Sequence, residues 1–172
     1  LPRLDVLRRE PDAGRVTRRR SLAYLGHLTD IHVMDPQSPA RMDPMAGMDH
    51  SLFAGTLRPQ DTLTVHVTAA MVDSMSQARF SPLTGAPMSA AVVTGDSADM
   101  HSELELSWYI GALDGGEITP NSGAAGVYEG VQAWPEAAYA WHPDDPAGDP
   151  FGAYGFPAVP GLLTAAVSEP VT

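Results

Sequence analysis

The sequence predicts an α/β fold with a parallel β-α-β core and a Gly/Pro-rich irregular insertion. Two β-prone apolar runs, Tyr24–Thr29 and Ser89–Thr94, each deliver an aspartate where the strand stops. The first leads into Asp30-Ile31-His32 and the second into Gly95-Asp96-Ser97-Ala98-Asp99. Between them lies a helical pattern, and a strand, helix, strand connection of that kind is expected to be a right-handed crossover that makes the strands parallel.

Residues 1–20 form a basic lead-in with seven arginines and three acids, while the whole chain of 172 residues carries a net charge of −11. The acidity of the remainder argues against a nucleic-acid-binding surface, because phosphate neutralisation needs clustered cations. Arg15, Arg18, Arg19 and Arg20 lack the sustained apolar run that an export signal requires after them, since Ser21–Leu28 already has strand character. No stretch approaches the ~18 apolar residues of a membrane span, and a soluble chain is expected. The first residue is Leu1 rather than Met, so removal of an upstream segment is expected. There is no cysteine, which excludes disulfides and thiolate zinc sites and leaves oxygen and imidazole as metal ligands.

Residues 21–113 hold the ordered core. Met34–Gly55 is rich in Asp, Met and Pro, too irregular to assign to helix or strand, and a loop of that length is usually functional or mobile. Pro59 suits a first helical position, with Asp61 in the first turn. Leu63, Val67, Ala70, Met71, Ser74, Met75 and Ala78 then mark one face of a helix over Gln60–Ala78, with Met71 and Met75 in the core. Pro82–Pro87 is turn chemistry. After Asp99 a second helix is expected over His101–Leu113, with Leu104, Trp108 and Ala112 on one stripe.

Residues 114–172 are read as an irregular insertion closing on a short apolar helix over Pro160–Val167. Its aromatics, Tyr128, Trp134, Tyr139, Trp141 and Phe151, argue for partial packing, because disordered segments are depleted in them.

Adjacent parallel strands would set Asp30 and Asp96 about 5 Å apart. Carboxylates that close repel unless a cation or shared proton lies between them, and His32 completes a set that suits a metal. Gly95 fits a tight exit where a side chain would obstruct the metal or substrate. Among the other histidines, His27 is expected to be packed or hydrogen-bonded in the strand and His66 solvated. His101 is placed as a local neighbour of the site, and no spacing singles out His50.

Strand-Asp30-x-His32 followed by strand-Gly95-Asp96-x-x-Asp99 resembles the first two blocks of the calcineurin-like metallophosphoesterases. Gln37-Ser38-Pro39-Ala40-Arg41, Tyr128-Glu129-Gly130-Val131-Gln132-Ala133 and Gly155-Phe156-Pro157 are similar to a bacterial subgroup with a long insertion after the second block. The resemblance covers most of residues 21–165. It implies a layered metallophosphoesterase-type fold and hydrolysis of a phosphoester small molecule or nucleotide by two divalent ions, manganese, iron or zinc. It further implies that Asp30 and His32 hold one metal, that Asp96 bridges two, and that Asp99 orients a catalytic histidine from a later block.

The family's later ligand blocks, Gly-Asn-His-(Asp or Glu), a lone histidine and Gly-His-x-His, do not occur: His142 is the one histidine after His101, and Asn121 is not followed by His. The chain is therefore expected to be the N-terminal part of a longer enzyme, inactive alone and prone to self-association through exposed apolar surface. The alternative is a truncated or degenerate relic that binds at most one metal or a partner.

Overall fold

Leu25–Leu28 (β1) and Ala90–Val93 (β2) pair in parallel, with Leu25 opposite Ala90 and Leu28 opposite Val93. The computed structural model describes residues 6, 8, 10, 12–18, 20–134, 139–144 and 150–172. The rest of the basic lead-in and of the insertion, including Arg19, lies outside them. Among the described residues the sheet is accompanied by helices Arg15–Arg18 (α1), Asp43–Met48 (α2), His50–Phe53 (α3), Thr64–Gln77 (α4), Glu103–Asp114 (α5) and Leu162–Ser168 (α6). The class is α/β, with a two-stranded parallel sheet. Among the described residues no helix is long and apolar enough to cross a membrane.

The strands pair because both are short, apolar and free of proline, and the pairing outlasts them. Ser89 N–H donates to Tyr24 O at 2.8 Å before the ladder and Thr94 N–H to Leu28 O at 3.2 Å after it. His27 lies within β1 with its Nε2 2.8 Å from Thr94 Oγ1, the hydrogen-bonded role expected of it.

α4 and α5 supply the main core. Val65 and Ala69 meet Trp108, Tyr109 and Ala112, and Val33, Ile118 and Val171 close the cluster. A backbone pair between Ile118 and Val171 ties the end of the chain to the segment after α5. A second cluster, Ala46, Leu57, Trp141 and Phe151, joins the segment after β1 to the aromatic insertion, and Phe156 and Leu162 pack on it. The described part of the insertion is thus irregular and partly packed, with Tyr128, Trp141 and Phe151 buried, Trp134 and Tyr139 exposed, and 3-10 turns at Val131–Ala133 and Pro150–Tyr154.

Three expectations need correction. Met34–Gly55 is not unstructured: α2 begins at Asp43-Pro44, and the Asp49 carboxylate caps α3 by accepting from Ser51 N–H and Leu52 N–H. Short helices of this kind rest on caps and tertiary burial, so no hydrophobic period announces them. The buried face of α4 is Val65, Thr68 and Ala69, whereas Val67, Ala70 and Met71 are exposed. Thr68 is wholly buried because its hydroxyl donates to Thr64 O at 2.7 Å, so a polar residue takes a core position without an unpaired group. His66 is half-buried, with Nε2 3.2 Å from Glu169 O, rather than solvated.

α5 begins with a reciprocal cap: Ser102 Oγ accepts from Glu105 N–H, and the Glu105 carboxylate accepts from Ser102 N–H. That carboxylate is fully buried and also accepts from Asp35 N–H at 3.0 Å and Met100 N–H at 2.8 Å. One side chain therefore pins the loops that follow both strands. Glu105→Ala, which strands these donors in the interior, is predicted to cost about 3 kcal/mol or more in urea unfolding. Glu105→Gln, which keeps an acceptor, should cost clearly less.

Candidate metal centre

Beyond β1 and β2 the parallel bonding continues irregularly. Asp30 N–H donates to Gly95 O at 3.2 Å, His32 N–H to Asp96 O at 2.8 Å and Val33 N–H to Ser97 O at 2.9 Å, while Asp99 N–H returns to Val33 O at 2.9 Å. The two exits are locked together, so the residues they carry converge. Donor atoms of Asp30, His32 and Asp96 lie within 4.8 Å of one another, with both carboxylates exposed and the imidazole half-buried.

This convergence needs unusual backbone. Asp30, His32 and Asp96 have φ of 53°, 49° and 48°, and His101 nearby has 57°. Left-handed conformations of that kind cost about 1–2 kcal/mol per residue outside glycine, least for aspartate, and strain of this kind tends to gather at functional sites. Gly95 has φ 124°, a region open essentially to glycine alone. A Cβ built there would meet no protein atom within 4 Å, so among the chain's own atoms the requirement for glycine is conformational.

Asp99 sits between this set and the interior. Its Oδ1 is 3.2 Å from His32 Nδ1, an ion-pair distance that is off the line of a good hydrogen bond, and its Oδ2 accepts from Arg41 at 3.2 Å. The histidine it meets among the described residues is His32. His32 Nε2 lies on the other side, 3.8 Å from Asp96 Oδ2. Thr29 donates its hydroxyl to Asp30 Oδ2 at 2.6 Å.

Arg41 is the residue that sequence reasoning undervalued, quoting it only within a motif. Its guanidinium is 6 % exposed and reaches Asp43 at 2.8 Å, Asp99 at 3.2 Å and Asp61 at 3.5 Å. Burial opposes the Arg41 charge, but Asp43, Asp61 and Asp99 outweigh it and hold the group firmly protonated. One cation cannot serve three anions fully, and burial pushes the Asp43 and Asp61 carboxyls above the ordinary range. Asp43 also takes a long hydrogen bond from Gln132, which in turn receives the hydroxyl of Tyr128. Gln37 bridges the same segments, donating to Asn121 and accepting from Glu129 N–H. The runs Gln37–Arg41 and Tyr128–Ala133, far apart in sequence, therefore face each other. Only their contact in the fold reveals the network, because charge burial leaves no local pattern.

Two clefts border the set. One of about 260 Å³ includes Thr29, Asp30, His32, Arg58 and Asp61, and the other, of about 460 Å³, includes Asp96, Ser97 and His101. His50 joins neither lining; it stacks on Tyr154 with ring centroids 3.8 Å apart and meets the edges of Phe151 and Phe156.

The donor set fits a divalent cation. Two carboxylates and an imidazole suit manganese, iron or zinc, and ligands of one such ion lie up to about 4 Å apart, close to the separation found. Among the described residues neither Asp30 nor Asp96 has an arginine within ion-pair distance. No protein-family model, curated protein or solved structure gives a significant match to the chain.

Arg41→Ala is predicted to destabilise the fold by about 3–5 kcal/mol, since it leaves buried carboxylates without their cation; chemical denaturation measures it. A second outcome follows from Asp61, whose folded carboxyl is raised above 3.8. The native state then binds the extra proton, so stability from this group falls as pH rises from the unfolded value through the folded one. Urea midpoints should show Asp61→Asn gaining on the wild type as pH goes from about 4 to 7.

Proposed function

We propose that this chain carries part of the centre of a metal-dependent phosphoester hydrolase of the calcineurin-like metallophosphoesterase kind. One observation carries the reading: Asp30, His32 and Asp96 converge to within 4.8 Å at the ends of two paired parallel strands. The motif order quoted for the family supplies the rest of the support.

In this reading Asp30, His32 through Nε2, and Asp96 would hold a divalent ion, manganese, iron or zinc. When bound, it would neutralise charge on a phosphoryl oxygen and activate water for attack at phosphorus. The chain's own residues prepare the site. Asp99 faces His32 Nδ1 and favours the tautomer that leaves Nε2 free to ligate, while Arg41 holds Asp99 in place. Thr29 engages one oxygen of Asp30 and orients the carboxylate. The second-metal ligands that the resemblance implies are not among these residues, so turnover by this chain alone is expected to be slow.

A second reading, a non-catalytic chain that binds one ion or a partner, draws on a specific observation. The sheet face bearing Leu25 and Val92, and the α5 stripe of Leu106 and Ile110, leave large apolar side chains exposed. That surface suits self-association.

Calorimetric titration with manganese should show one weak site, lost or weakened at least about tenfold in Asp96→Asn and by about 10–100-fold in Asp99→Asn. Wild-type binding unaffected by Asp96→Asn would sink both the metal assignment and the family reading. Hydrolysis of aryl phosphate mono- and diesters with added manganese then separates the two readings: turnover that Asp96→Asn abolishes supports the enzyme, and its complete absence with metal bound supports the binding chain.

A further inference from the structure

The chain outside its basic lead-in has three cations, Arg41, Arg58 and Arg79. Arg41 is buried and committed to carboxylates, and Arg79 Nε donates to Ser76 O at the end of α4. Arg58 alone lines the cleft that also contains Asp30 and His32. Its side chain is 48 % exposed, while its partner Asp61 is 4 % exposed. Asp61 accepts from Arg58 N–H at 3.0 Å and from Nε at 3.2 Å. The first comes from the backbone amide and only the second from the near edge of the guanidinium, and among the described residues no other group accepts from that guanidinium.

A pair of this spacing at a protein surface contributes little to stability. Here the acid is buried and itself shared with Arg41 at 3.5 Å, so Arg58 is anchored through its amide and Nε at the lining of the cleft, and its two terminal nitrogens are left for a further acceptor. A fork so presented matches two oxygens of a phosphoryl group, and pre-anchoring reduces the ordering cost of binding. In a chain of net charge −11, it is the one arginine lining the cleft that also holds Asp30 and His32. At about 260 Å³ the cleft lies below the usual range for drug-sized ligands, which suits a phosphoryl group with a small remainder.

We infer that Arg58 is the anion-recognition residue of this cleft and that it selects phosphomonoesters over diesters. The inference rests on the proposed metal reading. A monoester has three terminal oxygens, so one can face the cation while two remain for the fork. A diester has two terminal oxygens and leaves only one. Without a cation, Asp30 and Asp96 repel any phosphate, so anion binding is expected to require metal.

The test titrates manganese alone, then inorganic phosphate and dimethyl phosphate, into the full chain and into Arg58→Gln and Arg58→Lys. Manganese affinity should be the same in all three, which also reports that the variants are folded. With manganese present, phosphate should bind the wild type at least about tenfold more tightly than dimethyl phosphate does. Arg58→Gln should lose most of that preference, and Arg58→Lys, a point charge without the fork, should regain part of the affinity and little of the preference. If the wild type binds no manganese, the metal reading fails and the inference falls with it. If manganese binds but phosphate does not, or binds Arg58→Gln equally well, the metal reading stands and the role of Arg58 is overturned. Phosphate binding of equal strength without manganese likewise overturns it, because the anion would then sit away from the acidic set.

Discussion

The arrangement depends on a single buried guanidinium. Arg41 joins Asp43 at the start of α2, Asp61 before α4 and Asp99 after β2. Through them it reaches Gln132 in the insertion, Arg58 at the cleft and His32 at the candidate centre. Buried ion pairs of this kind rarely add net stability, because desolvating the ions offsets their attraction. Their effect is geometric. A planar fork with five donors accepts only a few placements of its carboxylates, so segments that share no hydrophobic period are brought into one register. Glu105 plays the complementary role with backbone, taking one N–H from the loop after each strand and so fixing the distance between them.

The sheet and its exits were legible because their signals are local. An apolar run ending in aspartate specifies both where a strand stops and which residue leaves its carboxyl end, and the register then follows from pairing. The convergence of Asp30, His32 and Asp96 also needed left-handed backbone in both exits, of which Gly95 was the local sign. The α4 face was not legible in the same way. Val67 and Met71 outweigh Thr68 on any hydrophobic count, but the face that packs on α5 carries Val65, Thr68 and Ala69, and the Thr68 hydroxyl is satisfied within its own helix. With only two strands, the sheet does not cover the stripe that the count favoured. The segment Met34–Gly55 failed differently: its local signals, Pro44 near a helix start and Asp49 as a cap, were present but weak, and its order comes from Ala46 meeting Trp141 and Phe151 across the sequence. The Ser102-x-x-Glu105 cap was readable, although nothing local announced that its glutamate would be buried.

Backbone strain and charge point to the same place. Four of the five non-glycine residues with positive φ among the described residues are Asp30, His32, Asp96 and His101, and the continued bonding between the two exits is what holds them there. Relaxing them would cost the backbone bonds that tie the two exits, so the strain is sustained by the pairing of the loops, and such strain tends to gather at functional sites.

The two acidic groupings of the chain make the point sharper. Asp43, Asp61 and Asp99 are mostly buried, and they are supplied with a cation of their own in Arg41. Asp30 and Asp96 lie at the surface with an imidazole and, among the described residues, without any such partner. Water can screen exposed carboxylates, so solvation alone would permit them to drift apart, yet strained backbone holds them together. In the reading proposed above, a bound cation would relieve the repulsion between them. In that reading the imidazole would favour an ion that accepts nitrogen as well as oxygen, a transition ion or zinc ahead of calcium or magnesium.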